Sequence, residues 1–197
     1  MNLSALRLSR PLAGLLCLLP LAAQAHVGAP HDHGFLAGFA HPLGGLDHLL
    51  AMVAVGVWSA QQGGRALWAL PVAFVTMLLA GGALGIAGVE LPYIEQGIQM
   101  SLLVLGLAVV LSLRVAPAIG ALLVGGFALF HGHAHGSEMA AGTAALAYCA
   151  GFALATGALH ALGIAGTLAL ARNARARLFE RIAGAGVALA GGWFALG

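Results

Sequence analysis

Apolar residues run along this chain in long blocks separated by short polar turns. The blocks lie near residues 36–60, 66–87, 91–113, 116–135, 141–170 and 178–196, each close to the roughly 20 residues a helix needs to cross a bilayer. The pattern predicts an all-α membrane protein whose domain, residues 36–197, is a six-transmembrane-helix bundle. No linker is long enough to set off a second domain. Small residues recur four apart, at Gly81 and Gly85 and again at Gly184, Ala188 and Gly192, so neighbouring helices are expected to approach closely.

The first 25 residues stand apart from these blocks. Arg7 and Arg10 form a basic start, "LAGLLCLLPLAA" an apolar run and "AQA" a small-residue cleavage site, which together predict a signal peptide cut after Ala25. Leu16 occupies the position before Cys17 where a lipoprotein would carry a small residue, so no lipid anchor is expected. Cleavage leaves Cys149 as the one thiol, and no intramolecular disulfide can form. Residues 26–35, "HVGAPHDHGF", then become a histidine-rich external segment.

Composition strengthens the membrane reading. Of 197 residues, 61% are hydrophobic and 7% charged, against about 25% charged in soluble domains. Thirty glycines and the absence of lysine fit helices packed through small residues in lipid. The formal net charge of +2 comes from scattered arginines, so the clustered basic surface that a nucleic acid requires is missing. Placing the mature N-terminus outside puts Arg65, Arg114, Arg172, Arg175, Arg177 and Arg181 in the inner connections. Asp32, Glu90, Glu138 and most of the histidines then lie towards the outer side. Cytoplasmic loops are enriched in arginine, and a secretory signal demands the same orientation. Both arguments point to the bacterial inner membrane with a periplasmic N-terminus.

Polar residues inside such a chain need a reason, because a charge at the centre of a membrane helix costs at least about 2.5 kcal/mol. "HPLGGLDHLLAM", residues 41–52, puts His41, Asp47 and His48 at the outer end of the first block. Pro42, Gly44 and Gly45 argue against a continuous helix here and for a broken or re-entrant backbone lining a polar cavity. From Gly45 onward a helix would set His48 and Met52 one turn apart on the same side. "FHGHAHGSEM", residues 130–139, closes the fourth block on that same outer side. As a helix it aligns His131, His135 and Glu138 on one face and turns His133 the opposite way. Gly132 and Gly136 weaken helical geometry, leaving a short loop as the other form.

Imidazole with carboxylate and no thiolate suits nickel, cobalt, copper or zinc without choosing among them. His26, His31 and His33 of the external segment are placed to capture cations or to form a solvated end. Glu95 and Gln99, one turn apart in the third block, would continue an ion path or bond a neighbouring helix, and so would His160 towards the inner end of the fifth. Met52 and Met139 follow the two motifs as weak thioether contacts or as packing.

The two motifs resemble those of the HupE/UreJ family of membrane proteins linked to nickel uptake for hydrogenase and urease. The family pattern His-Pro-x-x-Gly-x-Asp-His is met by His41, Pro42, Gly45, Asp47 and His48. Its second pattern, Phe-His-Gly-x-Ala-His-Gly-x-Glu, is met by Phe130, His131, Gly132, Ala134, His135, Gly136 and Glu138. The resemblance spans nearly the whole chain and implies a secondary Ni²⁺ permease that uses the histidines and carboxylates of both motifs and has no prosthetic group. A larger nickel-cobalt transporter family carries His-x4-Asp-His; five residues separate His41 from Asp47 here, and the spans are fewer.

No phosphate-binding glycine loop is present, so membrane potential rather than ATP is the expected drive. Two other readings use the same residues. A membrane enzyme would hold a catalytic metal with Glu138 or Asp47 as base, and a metal sensor would bind without flux. The chain lacks a His-Glu-x-x-His helix, and its histidines gather near an outer opening, which favours transport.

Overall fold

The computed structural model describes residues 34–139, 143–171 and 176–196. The expected signal peptide and the candidate capture residues His26, His31 and His33 lie outside the described residues. Within them the chain is helical and has no strand: α1 (Phe35–Gly44), α2 (Leu46–Gln62), α3 (Ala66–Ile86), α4 (Ile94–Val110), α5 (Pro117–Ser137), α6 (Ala145–Leu170) and α7 (Ala176–Leu196). Among the described residues α3, α5 and α6 are long and apolar enough to cross a membrane, and α1 with α2 makes a fourth if taken as one broken span. Helix α4 is apolar but only 17 residues long, and α7 carries Arg177, Glu180 and Arg181 near its start.

The first apolar block is two helices meeting at 89°. Pro42 lies within α1 and has no N–H to contribute, and the helix stops two residues later. Gly45 takes extended backbone, with φ −104° and ψ 119°, and caps α2. The break thus falls inside the Pro42–Gly45 stretch, and His48 and Met52 are both buried on α2.

Glycine faces set the packing. On α3 and α5, an added Cβ at Gly81, Gly85, Gly132 or Gly136 would strike the carbonyl of Leu129, His133, Leu78 or Gly82 respectively. Gly132 and Gly136 therefore serve a close helix crossing and do not unwind α5, which continues to Ser137. The loop alternative for this motif is overturned: each glycine loses helix propensity of about 1 kcal/mol and gains backbone contact with α3.

Gly106 of α4 packs in the same way against Gly184 and Ala188 of α7. The third member of that stripe is Gly191, which meets the Leu103 backbone, whereas the expected Gly192 has open space around it. At 100° per residue, a position seven beyond Gly184 stays within about 20° of the contact line, and one eight beyond drifts about 80° away.

Trp58, Phe74, Met52, Leu70, Leu78 and Leu102 fill the centre. Leu122, Leu146, Trp193 and Leu196 are largely exposed on the outside. Soluble monomers rarely show such a surface, and lipid accepts it without cost.

Candidate metal centre

The bend between α1 and α2 brings the first motif against the end of α5 that carries the second. Asp47 occupies the first turn of α2, where the helix dipole favours a carboxylate. Its Oδ1 accepts the backbone N–H of His48 at 2.9 Å and lies 2.8 Å from Nδ1 of the same residue. A carboxylate only accepts, so the hydrogen-bond network assigns the ring proton to Nδ1 and leaves the lone pair on Nε2. That Nε2 is buried and has no hydrogen-bond partner. Gly45 lies under this pair: a Cβ there would come within 2.9 Å of Asp47 Oδ1 and 3.0 Å of His48 Nδ1.

His131, fully buried on α5, is oriented by a different device. Ser101 on α4 donates its one hydroxyl proton to the Ile98 carbonyl at 2.6 Å, so it can only accept from His131 Nε2, at 2.8 Å. Nδ1 then carries the lone pair, and it too is buried without a partner. His135, one turn further, is buried with both ring nitrogens unpartnered.

These rings form a continuous series. The His41 and His135 centroids are 4.5 Å apart, those of His135 and His48 4.1 Å, and those of His48 and His131 4.7 Å. His41 Nε2 lies 3.9 Å from Glu138 Oε2, and both side chains reach solvent, with 36% and 65% exposure. Ligand atoms of His41, His135 and Glu138 all lie within 4.8 Å of one another. Donors bonded to one ion at about 2.1 Å are at most about 4.2 Å apart, so the set needs to contract by about half an ångström.

Other residues from the two motifs are used differently. His133 faces away from the cluster, as its helical position predicts. Its Nε2–H donates to the Val89 carbonyl at 2.6 Å, while Ser137 Oγ, 3.3 Å from Nδ1, donates its proton to the His133 carbonyl at 2.9 Å. Met52 is buried in the apolar core and Met139 packs against its edge. Glu95 is exposed in the first turn of α4 and Gln99 half-buried a turn further on. Among the described residues, no hydrogen bond or ion pair joins either to the imidazoles. His160 is buried on α6, edge-on to Phe74 with centroids 5.1 Å apart. Ser101 and Phe74 were not marked by motif spacing, because a lone serine and a lone phenylalanine in apolar helices carry no pattern.

Apolar helices long enough to cross a membrane, a helix broken at a polar mouth and a cluster of imidazoles with unpartnered nitrogens together define a multi-pass helical membrane protein. The family model described as HupE / UreJ protein matches residues 14–194, and the chain belongs to that family. It is 47% identical over 173 residues to Protein HupE of Rhizobium leguminosarum bv. viciae, covering 88% of this chain and 90% of that protein. No solved structure matches it.

Proposed function

We propose that this protein is a secondary permease of the bacterial inner membrane that carries Ni²⁺ inward for hydrogenase or urease maturation. The observation that carries the reading is the set of buried imidazole nitrogens on His48, His131 and His135 that have no partner. An orphaned buried polar atom costs about 1–3 kcal/mol, and a metal ion supplies the missing contact. Glu138, His41 and His135 take the hydrated ion at the mouth. His48 and His131 receive it deeper, and Asp47 acts chiefly by holding His48 in the binding tautomer. The choice of nickel follows the family resemblance; the donors also accommodate Co²⁺ or Zn²⁺.

Six spans, removal of residues 1–25 and an external N-terminus complete the proposal. Its support is the arginine distribution along the sequence and the inner polar end of the bundle. There Arg114 donates to the Gln62 carbonyl and Gln61 to Glu180, about 20 Å along α2 from His48. A divalent ion crossing the full field gains about 4.6 kcal/mol per 100 mV, enough for roughly 2,000-fold accumulation without ATP. We read the chain as a carrier, not an enzyme.

The test is ⁶³Ni²⁺ uptake into proteoliposomes holding the purified protein under an inside-negative potential, with a His41→Ala/Asp47→Asn double variant as control. Uptake that follows the potential and vanishes in the variant is expected. Tight Ni²⁺ binding by folded protein without any flux would overturn transport in favour of a sensor.

A further inference from the structure

Beneath the imidazole series, a second pair of buried polar groups is left without partners. Nδ1 and Nε2 of His160 and Oγ1 of Thr156 have no hydrogen bond, although His160 is 1% exposed and Thr156 fully buried. They are four residues apart on α6 and so share a face. Buried serine hydroxyls elsewhere in the bundle are satisfied. Ser59 and Ser101 bond back to the carbonyls of Val55 and Ile98, the usual refuge of a hydroxyl in a helix, and His133 donates its Nε2–H to the Val89 carbonyl. Three orphaned atoms in one place leave their desolvation uncompensated.

The position of the pair gives those atoms a use. The Phe74 ring touches both histidines, its centroid 6.1 Å from that of His131 and 5.1 Å from that of His160. One aromatic side chain thus contacts the deepest imidazole of the outer series and the inner imidazole alike. Helix α6 is held at this level by a close crossing, where a Cβ on Gly56 would strike the His160 carbonyl and one on Gly163 the Val53 carbonyl.

We propose that His160 and Thr156 form a second, deeper station for the divalent ion, reached from His131 past the Phe74 ring. The proposal rests on the transport reading above. One imidazole and one neutral hydroxyl, with water completing the shell, bind more weakly than the outer histidine and carboxylate set. A site that must release its ion inward requires that weakness.

The experiment uses full-length protein in lipid nanodiscs with ¹⁵N-labelled histidine rings, titrated with Zn²⁺ alone as a diamagnetic probe, alongside ⁶³Ni²⁺ uptake in proteoliposomes. The His160 ring nitrogens are expected to shift on Zn²⁺ addition. His160→Leu, which keeps the site filled, is expected to lower the initial uptake rate at least tenfold while the His131 and His135 shifts persist. Uptake by His160→Leu at the parent rate overturns the station. Loss of uptake together with loss of the outer shifts assigns His160 to packing and overturns it as well. If the parent protein shows no flux, the transport reading fails on its own. The station then stands only if the His160 signal shifts with Zn²⁺, and a silent His160 ends it.

Discussion

At the residue scale, motif spacing identifies which side chains meet but not what each one does. His131, His135 and Glu138 were legible because four- and three-residue intervals put them on one helix face, and His41 and His48 because Pro42, Gly44 and Gly45 mark a broken helix at a polar mouth. Their tautomers were not legible, since these depend on Asp47 Oδ1 and on a serine thirty positions away from His131. An isosteric test follows for Asp47. Asp47→Asn keeps the size and loses the charge that favours a protonated Nδ1, so Ni²⁺ affinity measured by titration calorimetry should fall about 10- to 100-fold with helicity unchanged. His133 gives the opposite expectation. Because it ties Val89 to α5, His133→Ala should leave the initial uptake rate within about twofold of the parent while lowering unfolding stability by about 1–3 kcal/mol, read from denaturant melts in detergent.

At the element scale, two helix ends use one device for different tasks. Helix α3 closes with Gly88 at φ 70°, Val89 N–H returning to the Leu84 carbonyl and Gly88 N–H to that of Gly85. This Schellman turn satisfies the last carbonyls and presents the Val89 oxygen to His133. Helix α4 ends the same way, with Leu113 N–H on Ala108 and the Leu113 carbonyl accepting the Trp58 indole N–H at 2.9 Å. Here the left-handed position, φ 47°, is held by Ser112. An L side chain there costs about 1–2 kcal/mol, so Ser112→Gly should raise stability by about 1 kcal/mol in the same melts. The α5 glycines predict the reverse: Gly132→Ala meets backbone that cannot yield without separating the helices, and should cost about 1–3 kcal/mol with a lower thermal midpoint. Sequence alone offered glycine as a helix breaker and as a packing surface. It could not choose between them, because the choice depends on which helix lies opposite.

At the scale of the whole molecule, the apolar blocks located five of the helices to within a few residues, since apolar length and turn residues are local properties. The bend in the first block was legible as a break but not as an angle. That angle is set by how α1 packs on α6, where Gly38 sits on the Tyr148 carbonyl and Gly151 on the Phe35 carbonyl. The meeting of the two motifs is likewise a tertiary fact. Their 83-residue separation from His48 to His131 says nothing about distance until α2 and α5 are placed.

The 89° bend also has an electrical meaning. If the protein carries its ion inward as proposed above, a mouth that leaves Glu138 and His41 partly in solvent would bring bulk water, and with it the outside potential, down to those two residues. The voltage then drops mainly across the low-dielectric layer below His131. On that reading an ion resting at the mouth would have used little of its roughly 4.6 kcal/mol per 100 mV, and nearly all of that drive would remain for the inward step. Occupancy of the outer residues should therefore be almost independent of voltage, while the rate of translocation rises steeply with it.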